Sequence, residues 1–280
     1  MKVVILTTEQ GNQVALCHKL TTHCDVAGIV LSKNTPRKPP PFKRRLLGFI
    51  SRASVRALGR PFLSAWSEMQ QAYSERYPTL PDVPIVRVNN VNDDATVEML
   101  KQHQPDLIVV SGTNLVSRKT IESAPRNARF VNLHTGISPY VKGGPNCTNW
   151  CLAQRTFDLI GNTIMWLDPG IDSGNIITTE QTGLNGQETL FEVHWTVMEL
   201  AHSLYCRVVR LLAEGHELPS VPQESIALGR TFYGVEWNGL AARRALKNFK
   251  HHYPGFFQNS NAPHCEGQSL KLIRLESGLR

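Results

Sequence analysis

Residues Phe130 to Thr179 read FVNLHTGISPYVKGGPNCTNWCLAQRTFDLIGNTIMWLDPGIDSGNIITT, and this stretch organises the rest of the chain. It opens on a short apolar strand that ends in Asn132-Leu133-His134. Side chains alternate along a strand, so Asn132 and His134 share one face. A Pro/Gly-rich loop follows, then a helical run from Asn146 to Gln154 and a strand from Asn162 to Leu167. The stretch closes on Asp168-Pro169-Gly170-Ile171-Asp172-Ser173-Gly174, a turn whose glycines let the backbone approach a ligand closely. An amide, an imidazole and a carboxylate held at strand ends and a tight loop can stabilise an oxyanion and relay a proton, as acyl transfer requires.

Upstream, Lys2 to Thr7 is built on a continuous apolar run, as expected of a buried parallel strand. Gly11-Asn12-Gln13 opens a helix from Val14 to Leu20, with Asn12 as its N-cap. A second strand spans Asp25 to Leu31. This opening lacks a G-x-G-x-x-G, so it gives little support to dinucleotide binding; the helix start is either a phosphate site or a plain turn. Ile85 to Val88 resumes the sheet, Asp93 to Gln104 is helical, and Asp106 to Val110 is another buried strand, ending in the loop Ser111 to Val116. Ser117 caps a short helix to Ser123. Downstream, Glu188 to Ala213 is a long amphipathic helix, Pro219 and Pro222 break the chain, Arg230 to Tyr233 reads as an edge strand, and Asn238 caps a last helix, Gly239 to Phe249. The fold class is α/β: a Rossmann-like, mostly parallel sheet flanked by helices, with a basic helical insertion and a small C-terminal appendix. The expected division is a catalytic domain at 1–215, carrying the insertion at 33–77, and a small C-terminal subdomain at 216–280.

Of the 280 residues, 41% are hydrophobic and 19% charged, the composition of an ordinary globular protein. The six cysteines form no C-x-x-C pair, and the opening MKVVILTTEQ has no signal-peptide pattern, so reduced thiols in a cytoplasm are expected. No apolar run approaches the ~18–20 residues of a membrane span. Cys147 and Cys151 share a helix face without further ligands, and His251 and His252 face different ways, so no metal site is expected. The net charge of +7 is local. Lys33, Arg37, Lys38, Lys43, Arg44, Arg45, Arg52, Arg56 and Arg60 run without an intervening acid; taking these nine from 30 basic residues leaves 21 against 23 acidic ones. In the same segment Leu46, Leu47, Ile50, Ala53, Ala57 and Leu58 recur at helical spacing, and Gly59 and Pro61 should end that helix. Two readings stay open: a helix docked on the domain with a solvated basic face, or a basic amphipathic helix that touches membrane phosphates, RNA or an acidic substrate.

The ordered set N-x-H, then S-P-Y-x-x-G-G, then D-x-G-I-D-x-G resembles the formyltransferase family that uses 10-formyltetrahydrofolate, and the likeness covers residues 1–215. The resemblance implies Asn132, His134 and Asp172 as the catalytic set. It also implies a folate cleft lined by Leu115 and Val116, with Ser111 and Gly112 in the same strand-end loop and Leu167, Asp168, Gly170 and Ile171 in the loop opposite, both expected at the carboxyl edge of the sheet. Many members carry a hydroxyl two residues past the His, where this chain has Gly136. The acceptor is expected at Gly11-Asn12 or at Lys142-Gly143, where backbone N–H groups or a positive charge can meet phosphate.

The implied reaction is transfer of a formyl group from 10-formyltetrahydrofolate to a primary amine, with a nucleotide-linked amino sugar as the preferred acceptor. Methionyl-tRNA formylation is the first alternative; the basic insertion speaks for it and the length of the C-terminal part against it. Hydrolysis of 10-formyltetrahydrofolate and formylation of glycinamide ribonucleotide are others; the start of the chain at its first strand speaks against the hydrolase. A non-catalytic folate-binding or membrane-associated scaffold, docking through 33–60, is the reading from outside enzymology.

Overall fold

The computed structural model describes residues 1–37, 41–168, 170, 172–258 and 270–275. The apolar run at the start forms β1 (Lys2–Thr7), followed by α1 (Gly11–Thr21), β2 (Asp25–Ser32), α2 (Phe42–Leu58) and α3 (Arg60–Arg76). Next come β3 (Ile85–Val88), α4 (Asp94–His103), β4 (Leu107–Val110), α5 (Arg118–Glu122), β5 (Arg129–His134), β6 (Val141–Gly143) and α6 (Cys147–Gln154). Then follow β7 (Gly161–Trp166), β8 (Ile176–Gln181), α7 (Leu190–Ala213), β9 (Arg230–Phe232), α8 (Gly239–His251) and α9 (Tyr253–Gln258).

Seven strands form one sheet in the order β3-β2-β1-β4-β5-β7-β8. The first five are parallel, whereas β7 runs antiparallel to β5 and β8 antiparallel to β7. Alternation along β1 shows why its run is continuously apolar. Val3 and Ile5 pack toward α1 and α7 with Leu16, Leu20 and Val208, while Val4 and Leu6 pack toward α4 with Met99 and Leu100. The Tyr205 hydroxyl of α7 accepts from Val110 N–H at 3.0 Å and donates to the Val131 carbonyl at 2.7 Å, which fixes the helix across β4 and β5. The helix starts follow their caps. Ser117, Asn146 and Asn238 each accept a backbone N–H, and Thr189 with Glu192 completes a capping box at α7.

Three expectations are corrected here. Asn12 does not cap α1; Gln10 holds that position, and the Asn12 side chain accepts from Gln70 of α3 instead. Residues 60–76 are not a peripheral insertion. Pro61 sits in the first turn of α3, where a proline starts a helix rather than ending one, and Phe62, Ala65, Met69 and Tyr73 are buried, the last two with Ala15 and Met198. The third concerns the face α2 turns inward. Ser51 Oγ donates to the Trp237 carbonyl, Ser54 Oγ accepts from Gly239 N–H, and Val55 is buried, whereas Leu46 and Ile50 are exposed. The small polar side of the helix docks on the α8 region, because it lets the two backbones approach closely.

The strand at Arg230 pairs with β6 in a separate two-stranded parallel sheet. Trp237, Ala241, Ala242, Ala245 and Tyr253 share a hydrophobic cluster with Trp150, Phe157 and Val193. Among the described residues no helix is long and apolar enough to cross a membrane.

Candidate active site

Asn132 and His134 leave β5 on the face that borders a cleft of about 600 Å³. The third member arrives from the opposite direction. Because β7 is antiparallel to β5, its last residues stand beside the start of β5, and Leu167 N–H donates to the Phe130 carbonyl at 2.9 Å. The carboxyl end of β7 is therefore not at the edge where β4 ends, as the sequence suggested. The connection to β8 is a hairpin loop closed by Trp166 N–H on the Asn175 carbonyl, and it folds back along β5 until Asp172 meets His134.

The geometry at that meeting is tight. Asp172 Oδ2 lies 3.2 Å from His134 Nδ1 and accepts from Gly143 N–H at 3.0 Å, while Asn132 Nδ2 lies 3.4 Å from Asp172 Oδ1. Asp172 adopts a left-handed backbone, φ 47°, which a short polar side chain tolerates. Gln223, buried beyond Pro222, donates to the Asp172 carbonyl at 2.7 Å and to that of Gly174 at 2.8 Å, and so fixes the loop. The other edge of the imidazole faces the interior. Nε2 stands 3.1 Å from the Val141 carbonyl and 3.5 Å from Cys147 Sγ, and neither residue lines the cleft. Nδ1 and the carboxylate beside it thus form the edge open to a reactant. Burial pushes the Cys147 thiol well above its ordinary range, so the group beside Nε2 is a neutral thiol.

Gly143 is needed for this closure. Its φ is 88°, and a Cβ there would run into the Phe232 carbonyl of β9, so only glycine lets β6 present its N–H to Asp172.

Of the residues expected to hold folate, Ser111, Gly112, Leu115, Val116, Leu167, Asp168 and Gly170 line the same cleft, while Ile171 lies outside the described residues. The β4 loop is braced by Asn34, which donates to the Gly112 carbonyl and accepts from Asn114 N–H, and by Asn92, which donates to the Leu115 carbonyl. Asp168 Oδ1 accepts from Gly170 N–H and Ser173 Oγ, which shapes the facing loop.

The residues expected at the acceptor site divide. Asn12 and Gly143 line the cleft; Gly11 and Lys142 do not. Gly11 is where α1 abuts α3, since a Cβ there would meet the Gln70 carbonyl and Ser74 Oγ. The N–H groups of the helix start are also engaged, that of Asn12 by Gln70 Oε1 and those of Gln13 and Val14 by the Gln10 carbonyl. Lys142 is held in the β6–β9 pairing opposite Thr231. No lysine or arginine is among the described residues that line the cleft.

Sequence reasoning missed part of the wall. Phe62, Leu63 and Trp66 of α3, Val55 of α2 and Trp237 all line the cleft. The apolar spacing of residues 62–73 was the one local signal available for α3; nothing near Trp237 or Gln223 marks either as part of a site.

An open α/β sheet with an amide, an imidazole and a carboxylate converging beside its central strands defines a class of group-transfer folds. A family model described as formyl transferase matches residues 1–209, and the chain belongs to that family. The methionyl-tRNA formyltransferase of Syntrophus aciditrophicus (strain SB) is 34% identical over 145 residues, which are 51% of this chain and 44% of that one. That of Pelobacter propionicus (strain DSM 2379 / NBRC 103807 / OttBd1) is 27% identical over 194 residues, 69% and 60% of the two chains. The chain spans about half the length of the curated relatives it matches. In fold it is similar to a 4-N formyltransferase from Francisella tularensis, with TM-score 0.53 at 17% identity over 83% of this chain and 76% of that one. It is also similar in fold to a sugar N-formyltransferase from Shewanella sp FDAARGOS_354, with TM-score 0.53 at 14% identity over 89% and 87%.

Proposed function

We propose that the protein is a folate-dependent N-formyltransferase that moves a formyl group from 10-formyltetrahydrofolate to a primary amine, with a nucleotide-linked amino sugar as the acceptor, in the cytoplasm. The observation that carries this reading is the convergence of Asn132, His134 and Asp172 in one cleft, in a chain of the formyl transferase family.

The acceptor amine attacks the formyl carbon, a C–N bond forms, and the carbonyl oxygen becomes an oxyanion. Asn132 Nδ2 is the donor toward that oxygen, and His134, whose Nδ1 faces Asp172, handles the proton. Asp172 orients the imidazole and takes part in moving the proton that the amine loses. The bond from the formyl carbon to N10 then breaks, and N10 leaves with a proton. The folate ring is placed between the Ser111–Val116 loop and the Leu167–Asp172 loop. Apolar and aromatic walls from Phe62, Trp66 and Trp237 suit a flat or saccharide ligand. With no cation among the described lining residues, the pyrophosphate of such an acceptor lies at the rim, outside the catalytic centre.

The test is a turnover screen with 10-formyltetrahydrofolate against amino-sugar nucleotides, formylatable aminoacyl-tRNA and simple amines. Turnover with a sugar nucleotide supports the reading in full. Turnover with aminoacyl-tRNA alone, the substrate in the names of the curated relatives, replaces the acceptor; release of formate without any acceptor replaces the transferase by a hydrolase.

A further inference from the structure

We infer that α2 is a docking helix for an anionic lipid surface. Phe42, Leu46, Phe49, Ile50, Ala53 and Ala57 follow one another at helical spacing and form a single stripe. That stripe lies opposite the side on which Ser51, Ser54 and Val55 meet the rest of the protein, so it points outward. Phe42 is 78% exposed, Leu46 48%, Phe49 63% and Ile50 54%. Scattered exposed apolar residues are ordinary, but four large ones in a line on one helix are not.

Arg45, Arg52 and Arg56 run along one flank of the stripe and Lys43 lies on the other, all exposed. None of these four has an ion pair among the described residues, and no acid occurs from residue 33 to residue 60. An apolar stripe between rows of cations fits the boundary between lipid headgroups and acyl chains, where the stripe enters the hydrocarbon and the cations meet phosphates. Other occupants fit less well. RNA would engage the cations but leave the four large apolar side chains in water. A two-fold pairing with a second copy would set the same patch against itself and bring cationic flank against cationic flank. The helix is too short and too charged to span, so the association is peripheral. On its inner side Val55 lines the cleft, which makes α2 a partition between the active-site cleft and the lipid.

This inference goes beyond the formyl-transfer reading, and its test has no turnover in it. The full chain is sedimented with vesicles of phosphatidylcholine alone and with vesicles containing about one third phosphatidylglycerol. The protein should pellet with the anionic vesicles, stay in solution with the neutral ones, and be released as salt is raised. The variant Phe42→Ser/Leu46→Ser/Phe49→Ser/Ile50→Ser should stay in solution with both. Arg45→Gln/Arg52→Gln/Arg56→Gln should lower the partition roughly a hundredfold, about fivefold for each arginine. All seven side chains are exposed, so circular dichroism should show both variants folded. The inference is overturned if the wild type ignores anionic vesicles, or if the serine variant binds them as the wild type does. It is equally overturned if the stripe proves to hold a dimer that the serine variant splits, or if the wild type retains RNA and not vesicles.

Discussion

Cys147 occupies the space beside Gly136 that a side chain at 136 would need. A Cβ on Gly136 would stand 2.9 Å from the Cys147 Cβ and 2.7 Å from His134 Nε2, with the Val141 carbonyl also at 2.9 Å. The missing hydroxyl two residues past the His is thus matched by a packed thiol from α6. Gly136→Ser should displace His134 from Asp172, lower turnover, and cost about 1–3 kcal/mol as an overpacked site does. Denaturant unfolding and steady-state rates check this, and a serine variant with wild-type stability and turnover would refute it.

His134→Ala should reduce turnover by roughly 10²–10⁴, the usual scale for a group that handles protons in the transition state. Donor binding should survive, because most of the cleft wall is untouched. Titration of a folate analogue into the variant, beside its rate, separates the two effects. A rate near that of the wild type would remove His134 from the chemistry.

Gln223 reaches the catalytic loop from beyond the residues that match the family model, and it holds the carbonyls of Asp172 and Gly174. Gln223→Ala leaves two carbonyls without their donor, at an expected cost of about 1–3 kcal/mol. The rate should fall although every catalytic side chain is intact, and amide exchange should quicken between residues 168 and 175. Unchanged exchange in that loop would mean that the glutamine is only packing.

Two buried histidines make stability depend on pH. Burial pushes His194 down to about 4, and burial together with the nearby Lys19 pushes His202 down to about 3. Both values lie below the ordinary 6.5, so between about 6.5 and those values the unfolded chain binds protons that the folded chain refuses. The stability these rings contribute is full above about 6.5 and is lost as the pH falls, at about 1.4 kcal/mol per pH unit for each ring. His194→Gln and His202→Gln should each flatten the slope of unfolding free energy against pH in that window. A slope unchanged by either substitution would locate the acid sensitivity elsewhere.

Much of the fold is legible locally, because backbone physics is local. Continuous apolar runs such as Val3 to Leu6 require a strand buried on both faces, and Ser117 and Asn238 mark helix starts as caps. The two-residue spacing of Asn132 and His134 places both on one face of β5 without any knowledge of the rest. Alternation and capping also explain why the boundaries of β3 and α6 could be read to within a residue or two.

The amino-acid sequence by itself determined β1 to β5, β7 and β9 and the two site residues that share β5, but not β6 or β8. Tertiary structure alone decided how Asp172 reaches the site, which further groups line it and which helix faces are covered. Asp172 meets His134 because β7 is antiparallel and its hairpin loop folds back, and strand direction is not encoded in an apolar run. α2 has an apolar side and a small polar side, and periodicity shows both without saying which one packs. The close approach of the α8 region half-covers the serine side and leaves Phe42, Leu46, Phe49 and Ile50 in the open. Gln223 and Trp237 reach the site because the C-terminal segment folds back onto it, which only the assembled core can impose.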